Sequence, residues 1–444
     1  MISVFLTRFS KIFCFFIIFL GEFCFFERQG IFAAEVDNKK IKNQNKIKQN
    51  KKSDESNIKK IEEETESQYK EIISSNYAFA NLPSTLAKQA ILQDFNSGAI
   101  LFEKNADELM TPSSITKIAT ASFIFNKIQE KQLSLDTIFV VSANAFRKEG
   151  SSMFLKQGQK VSLKDLLLGL IVLSGNDAAV TIAEGACGDE KVFASELTSF
   201  VISIGATNTH FINASGLPDE KHKTTARDIL AITRYTINTF PKEYKSYSVK
   251  EFTFNGVKQF NRNTLLNQEI GCDGVKTGKT ESGGCGIVAS INQNGRRLIL
   301  VVNGYLSEKD REKDAKALLL WGMKMFRNQS LYKANEVIAQ IPVWYGNESY
   351  LPITVENDLI ITLPRLAGNN VKIELHYDTP ISAPVNKGDR IGEIQITSDS
   401  FKTPIVIPLV ASISIRSAGF FKKVYDSFLY LIWGIRMPDL KERK

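Results

Sequence analysis

The segment TPSSITKIAT, residues 111–120, holds two adjacent serines and one lysine. Ser113 lies four residues before Lys117, and Ser114 lies three residues before it. On a helix both spacings place the serine and the lysine on the same face. The segment therefore predicts a helix that brings a serine hydroxyl close to a lysine amine, and it leaves open which serine acts.

The start of this helix offers the chemistry of an activated nucleophile. Thr111 fits the N-cap position and Pro112 the first helical position, so both serines fall in the first turn. Backbone N–H groups in that turn lack helical partners and can stabilise a developing oxyanion. The residues that follow are largely apolar, so we expect Lys117 to be buried with a lowered pKa, as a neutral amine that accepts the serine proton.

Two later motifs distinguish the two serines. A serine three residues before a lysine is weak evidence alone, because three other serine–lysine pairs in the chain share that spacing. The segment Ser174-Gly175-Asn176 follows an apolar helix, and Lys276-Thr277-Gly278 comes about a hundred residues later. Serine–lysine acyl-transfer enzymes carry S-x-x-K, S-x-N and K-T-G in this order. Only Ser114 makes the three-residue step to Lys117, so Ser114 is the predicted nucleophile.

The chain resembles the low-molecular-weight penicillin-binding proteins that act as D-alanyl-D-alanine carboxypeptidases. The resemblance runs from about residue 85 to the end of the chain and includes PSSITKIAT, SSMFLKQGQ, LSGNDAAV, NTHFINASGL, TARDIL, EFTFNGVKQFNRNTLL and DGVKTGKT. It implies that Ser114 forms an acyl-enzyme and that Lys117 is its base. It also implies that Ser174 and Asn176 relay protons and contact the substrate.

The same resemblance assigns the substrate-binding residues. Lys276 and Thr277 are expected to bind a substrate carboxylate, and the N–H groups of Ser114 and Lys279 to form an oxyanion hole. Arg311, in EKDREK, matches an arginine that binds the terminal carboxylate of the substrate in this family. Gly278 should let the substrate backbone lie close along the strand edge.

The sequence also departs from the family around the K-T-G motif. Relatives often carry His or Tyr where this chain has Lys279, and Gly284 and Cys285 replace an alanine and an aromatic residue. Cys272 and Cys285 flank the motif, and a disulfide between them is an open alternative that their positions do not favour.

Strand and helix patterns predict an α+β catalytic domain over residues 79–328, followed by a small all-β domain over 329–415. The resemblance implies an antiparallel sheet with helices on both faces and a helical subdomain. In the catalytic domain the predicted elements are a hairpin around Asn96-Ser97-Gly98, helices at 114–128, 162–173 and 317–326, and strands at 285–292 and 297–304. The all-β domain is predicted to contain strands in VKIELHY, IGEIQIT, TPIVIPLV and SISIRS.

The two ends of the chain predict export and membrane attachment. Arg8 and Lys11 precede an apolar run, which is typical of a signal peptide, here residues 1–34, with a retained anchor as the alternative. Residues 35–78 are rich in Lys, Asn and Glu and predict a disordered tether. Residues 416–444 predict an amphipathic helix that lies on a membrane surface, with packing on the all-β domain as the alternative. The expected location is the periplasmic face of the cytoplasmic membrane, with peripheral attachment.

Composition narrows the function. The net charge of +8 comes without a basic stripe of aromatic residues or a Gly-rich phosphate loop, so no nucleic-acid partner is expected. With three histidines and no CxxC motif, no metal or other cofactor is expected. The predicted reaction is removal of the terminal D-alanine from peptidoglycan stem pentapeptides, with β-lactams as covalent inhibitors. The alternatives are a DD-endopeptidase, a β-lactamase and a non-catalytic penicillin-binding sensor or scaffold.

Overall fold

The computed structural model describes residues 73–78, 82–366, 370–378 and 381–433, with side chains up to residue 428. The predicted signal peptide, the tether up to residue 72 and the last residues, 434–444, lie outside the described residues. The strands that precede residue 306 are β1 (Ile73–Ser74), β2 (Gln89–Asp94), β3 (Ile100–Lys104), β4 (Ile138–Val140), β5 (Lys160–Ser162), β6 (Glu251–Phe254), β7 (Val257–Phe260), β8 (Cys272–Thr280), β9 (Gly284–Gln293) and β10 (Arg296–Tyr305).

One antiparallel sheet, in the order β1-β3-β2-β10-β9-β8, lies at the centre of the catalytic domain. Its middle strand β2 pairs with β10, from the far end of the domain, with Leu300 opposite Leu92. Along β10, Leu298, Leu300 and Val302 face one apolar core, and Ile299 and Val301 face another. Both faces are therefore covered, as the α+β prediction requires.

Helices cover the two faces of the sheet. They are α1 (Thr116–Gln129), α2 (Ala143–Phe146), α3 (Leu163–Ile171), α4 (Asn176–Cys187), α5 (Glu190–Ser203), α6 (Ala226–Thr239) and α7 (Glu308–Met325). Residues of α1, α3, α4, α5 and α6 form one core with Ile299, whereas α7 packs on the opposite face beside Leu298. The predicted last helix of the domain starts nine residues earlier than residue 317, because Ser307 caps it by accepting a hydrogen bond from the N–H of Asp310.

The C-terminal domain is all-β, as predicted. Its strands are β11 (Phe326–Tyr332), β12 (Ala339–Trp344), β13 (Tyr350–Thr354), β14 (Leu359–Pro364), β15 (Val371–Tyr377), β16 (Ile381–Ser382), β17 (Arg390–Ser398) and β18 (Ile405–Ala411). A sheet in the order β15-β17-β18-β13-β12-β16 packs beside the β11–β14 pair. The predicted strand SISIRS is wrong, because Ile415 and Ser417 make only isolated bridges, with Val385 and Gly346.

Residues 73–78 correct the predicted end of the tether. Residues of β1 pair with β3, and Tyr77 is buried at the junction of the two domains. Its ring packs against Phe326 and Phe401, and its hydroxyl donates to the carbonyl of Thr362. The buried ring of Tyr77 and the backbone hydrogen bonds of residues 73–78 together hold the segment, which composition alone does not show.

The terminal helix α8 (Phe420–Trp433) follows the all-β domain. Asp426 accepts a hydrogen bond from the N–H of Tyr345, so a polar contact attaches the helix to this domain. Phe420, Val424 and Phe428, which recur at steps of four residues and form an apolar face of this helix, are more than half exposed. Within the described residues, every helix is too short or too polar to cross a bilayer.

Candidate active site

The predicted nucleophile lies in a tight turn rather than in a capped α-helix. Residues Ser113–Ile115 form a 3₁₀ turn that leads into α1, and Pro112 precedes it without a side-chain cap. The predicted N-cap is wrong, because Thr111 instead accepts a hydrogen bond from Lys223 through its hydroxyl. Ser113 takes a left-handed backbone conformation, with φ of +52°, a strain found at functional sites where surrounding contacts hold it in place.

Ser113 points away from the reacting group. Its hydroxyl hydrogen-bonds Thr280 at the end of β8, with 2.8 Å between the two oxygens. The hydroxyl of Ser114 lies 2.9 Å from Nζ of Lys117 and lines the cleft. The structure thus separates the two serines by contact, which helical spacing could not do.

Lys117 is buried, and hydrogen-bond acceptors surround its amine. Its Nζ lies 2.8 Å from Oδ1 of Asn176 and 2.5 Å from the carbonyl oxygen of Ser215. Burial, with the nearby charge of Lys276, lowers the pKa of Lys117 well below its ordinary value. A neutral amine has two N–H bonds, and these two carbonyl oxygens can only accept. Its lone pair is then left for the third neighbour, the hydroxyl of Ser114.

The S-x-N motif stands at the start of α4. The side chain of Asn176 donates through Nδ2 to the carbonyl of Glu149, at 2.6 Å, while Oδ1 accepts from Lys117. Ser174 adopts φ of +62° and lines the same cleft as Ser114 and the end of β8. The neighbouring carboxylate of Asp177 accepts from the N–H groups of Met153 and Leu155, so it holds a loop and is turned away from the cleft.

The K-T-G motif lies on β8, at the free edge of the sheet. Lys276 is buried, and burial with the nearby charges of Arg262 and Arg311 lowers its pKa to about 7. A Cβ atom on Gly278 would lie 2.9 Å from the carbonyl oxygen of Pro112. The glycine therefore allows β8 to pack against the turn Ser113–Ile115, which carries the nucleophile. The sequence prediction did not include this structural reason for a glycine.

A cleft of about 490 Å³ brings most of the predicted residues together. Its lining includes Ser114, Ser174, Asn176, Thr277, Gly278, Lys279 and Arg311, while Lys117 and Lys276 lie buried behind it. Arg311 is 3 % exposed, and its Nε has no hydrogen-bond partner among the described residues. Burial also lowers the pKa of this guanidinium.

Sequence reasoning did not identify several residues that line the cleft, among them Ser215, Arg262 and Glu308. Ser215 belongs to a turn in which Oδ1 of Asn213 accepts from three successive backbone N–H groups, of residues 215–217. The Asn-Ala-Ser-Gly sequence is a signal for such a turn. Arg262 lies in the quoted NRNTLL stretch, but only the fold shows that it reaches the site.

The open question of a disulfide is answered by strand register. Cys285 lies opposite Lys279, and Cys272 lies opposite Ile291, six residues further along β9. Both thiols are free. Among the described residues, no cluster of three or more His, Cys, Asp or Glu side chains could hold a metal ion.

Gly216 supports the nucleophile turn from the other side, and this gives a testable prediction. It has φ of +80°, and an added Cβ would lie 1.8 Å from the carbonyl oxygen of Ser113. We expect Gly216→Ala to lower the free energy of unfolding by about 2–4 kcal/mol and to slow acylation by penicillin. Gly188→Ala is the control, because Gly188 has the same φ with open space around it. Equal losses of stability in chemical denaturation of the two variants would contradict this account.

Comparison with known proteins assigns the family. The family model for D-alanyl-D-alanine carboxypeptidases matches residues 76–306, and a model for the C-terminal domain of penicillin-binding protein 5 matches residues 326–416. The chain belongs to the D-alanyl-D-alanine carboxypeptidase family. It is 36% identical over 353 residues to the D-alanyl-D-alanine carboxypeptidase DacA of Escherichia coli (strain K12), a match that covers 78% of this chain and 87% of that protein.

Solved structures of related carboxypeptidases and penicillin-binding proteins share the fold. The chain aligns with penicillin-binding protein 5 from Haemophilus influenzae with a TM-score of 0.73 and 34% identity, over 76% of this chain and all of the other. It aligns with penicillin-binding protein D2 from Listeria monocytogenes, solved in an ampicillin-bound form, with a TM-score of 0.51 and 27% identity, over 55% of this chain and 99% of that one. Both predicted domains, the α+β and the all-β, thus have solved counterparts, and the chain is a serine hydrolase of this family.

Proposed function

We propose that this protein removes the terminal D-alanine from peptidoglycan stem pentapeptides through an acyl-serine intermediate. The observation that supports this most directly is the position of Nζ of Lys117, within hydrogen-bonding distance of Oγ of Ser114 and of two carbonyl acceptors. Family membership supplies the reaction class, and the cleft supplies space for an extended peptide beside β8. β-Lactams are proposed to acylate the same serine.

Acylation begins with a proton transfer. Neutral Lys117 accepts the proton of Ser114 as Oγ attacks the carbonyl carbon of the penultimate D-alanine. The resulting oxyanion is stabilised by the backbone N–H groups of Ser114 and Lys279. The C–N bond then breaks, and the leaving amine takes a proton from the lysine by way of Ser174. Free D-alanine departs, and an ester joins Ser114 to the shortened peptide.

Deacylation uses the same groups in reverse order. Water takes the place of D-alanine, gives a proton to Lys117 and attacks the ester, and the proton finally returns to Ser114. The terminal carboxylate of the substrate is proposed to bind Lys276, Thr277 and Arg311. These contacts would place the scissile carbonyl within reach of the nucleophile.

The proposal is tested with the purified protein, a pentapeptide ending in D-Ala–D-Ala and a fluorescent penicillin. We expect release of D-alanine and one penicillin bound per chain. Labelling by penicillin without release of D-alanine would instead support a non-catalytic penicillin-binding sensor or scaffold. Cleavage of the cross-link in a muropeptide dimer, at a kcat/KM comparable to that for the pentapeptide, would assign an endopeptidase. Rapid turnover of penicillin would assign a β-lactamase.

Lys276 predicts a specific pH dependence. With a pKa of about 7, it carries a charge below that pH and is neutral above it. We therefore expect kcat/KM for the pentapeptide to fall as the pH rises through about 7, since the charge that attracts the substrate carboxylate is lost. Arginine remains protonated throughout, so Lys276→Arg should remove this decline even if its overall rate is lower. A decline that persists in the variant would assign it to another group.

We further propose that the protein is exported and lies on the periplasmic face of the cytoplasmic membrane, attached through α8. Support comes from the exposed side chains of Phe420, Val424 and Phe428. Deletion of residues 419–444 should release the protein from cell membranes into the soluble fraction. If the truncated protein remains bound, the N-terminal segment is the anchor.

A further inference from the structure

An ion pair lies at the mouth of the cleft, at the end where the K-T-G strand meets α7. Nζ of Lys279 lies 3.0 Å from Oε1 of Glu308. The other carboxylate oxygen of Glu308 lies 3.8 Å from Nη2 of Arg311, one turn further along the helix. One carboxylate therefore contacts two cations of the proposed substrate-binding surface.

Glu308 is the one acidic residue among the described residues that line this cleft. The remaining charged residues of the lining are Arg262, Lys279 and Arg311, and Lys276 is buried close enough for the charges of Arg262 and Arg311 to act on it. The contact with Lys279 lowers the pKa of Glu308, and the same contact raises that of Lys279. Both side chains are therefore charged at neutral pH.

Any substrate carboxylate that enters this surface meets a carboxylate already there. Arg311 is 4 % exposed in its side chain, so it has little room to serve both groups at once. Two carboxylates that share one guanidinium repel each other, and the repulsion is stronger where water is excluded. Lys279 is 64 % exposed, and its contact with Glu308 is the shorter of the two, so Lys279 competes with Arg311 for this carboxylate.

We propose that Glu308 is an internal competitor for the terminal carboxylate of the substrate, and that Lys279 limits this competition by holding Glu308 aside. This inference rests on the proposed function, because it requires a substrate with a carboxylate at Arg311. It makes the carboxylate of Glu308 and the ammonium group of Lys279 determinants of carboxylate affinity, a role separate from that of the Lys279 backbone N–H in the proposed oxyanion hole.

The effect should be modest, since Glu308 is 57 % exposed and solvent screens its charge. Exposed ion pairs of this kind change binding by a few fold. We expect Glu308→Gln to lower KM for a peptide ending in D-Ala–D-Ala by about two- to five-fold with an unchanged kcat. Lys279→Met should raise KM by a similar factor, because Glu308 is then free to turn toward Arg311.

Two comparisons separate this effect from a structural one. The same peptide with a C-terminal amide lacks the charge, so its kcat/KM should be equal in Glu308→Gln and the unmodified protein. The double variant should bind the acid peptide as Glu308→Gln does, since without the carboxylate Lys279 has nothing to hold aside. Asp358→Asn is the matched control, because it breaks an exposed ion pair with Lys333 on the all-β domain.

The opposite result is equally clear. If Glu308→Gln raises KM for the acid peptide, the carboxylate orients Arg311 and the proposal is wrong, and an unchanged KM also overturns it. The second-order rate constant for acylation by benzylpenicillin, which carries its own carboxylate, gives an independent readout and should rise in Glu308→Gln. That measurement decides the inference even if the protein releases no D-alanine, a result that would reject only the proposed peptidase function.

Discussion

Replacing Ser114 by alanine is expected to abolish covalent labelling by penicillin and to lower D-alanine release by about 10⁴- to 10⁶-fold. The loss should be large because both the acyl-enzyme and the hydrogen bond to Lys117 depend on this hydroxyl. The fold should be preserved, since the side chain faces the cleft and alanine fills the same backbone conformation. Labelling is measured by gel fluorescence and release by an enzymatic assay for free D-alanine.

The adjacent serine provides the control. Ser113→Gly also removes one hydroxyl from the same turn, and glycine accepts φ of +52° without steric cost. Loss of the hydrogen bond to Thr280 should cost about 1 kcal/mol of stability and leave labelling in place. A Ser114→Ala protein that is still labelled, or a Ser113→Gly protein that is not, would reverse the assignment.

Replacing Lys117 by methionine is expected to slow acylation by about 10²- to 10⁴-fold. Methionine has a similar length and fits a buried site, but it cannot accept a proton. Lys117→Arg should also be acylated slowly, although it keeps a cation in place. A guanidinium does not deprotonate in proteins, so it cannot accept the serine proton. The two variants together distinguish a general base from a positive charge that only stabilises the site.

A second buried lysine controls for stability. Lys104, on β3, is also buried, and its Nζ donates to the carbonyl of Thr85 outside the cleft. Lys104→Met and Lys117→Met should both shift the melting temperature, but only Lys117→Met should lose penicillin labelling. Rapid acylation of Lys117→Met, followed by stopped-flow fluorescence, would show that another group accepts the proton.

Local sequence signals predicted the parts of the fold and site that depend on short segments. The turn Asn96-Ser97-Gly98, the alternation in β15 and the three motif segments are such signals. The left-handed conformation of Ser113 has no signal in its own segment, and its hydroxyl hydrogen-bonds Thr280, 167 residues away. Contacts at that distance are fixed by tertiary packing, which overrides the preference of Pro112 for a regular helix start.

Two further features that the sequence did not predict also arise from contacts between distant segments. The carbonyl of Ser215 contacts Lys117 across 98 residues, so nothing in either segment indicates it. Tyr77 is buried only because residues from three distant strands or loops surround it. In contrast, the early start of α7 at Glu308 has a local signal, the Ser307 cap, which its highly charged first turns obscured.

The pairing of β2 with β10 determines the order in which this chain can complete its fold. A chain that is synthesised N-terminus first presents β2 and β3 about two hundred residues before their partner β10. Until then the hairpin keeps an apolar, unpaired edge, which is a site for aggregation. Tyr77 obtains its hydrogen-bond partner later still, because Thr362 lies 285 residues beyond it. The sheet therefore cannot be completed segment by segment, and the hairpin of β2 and β3 has to stay apart from other chains until β10 is available.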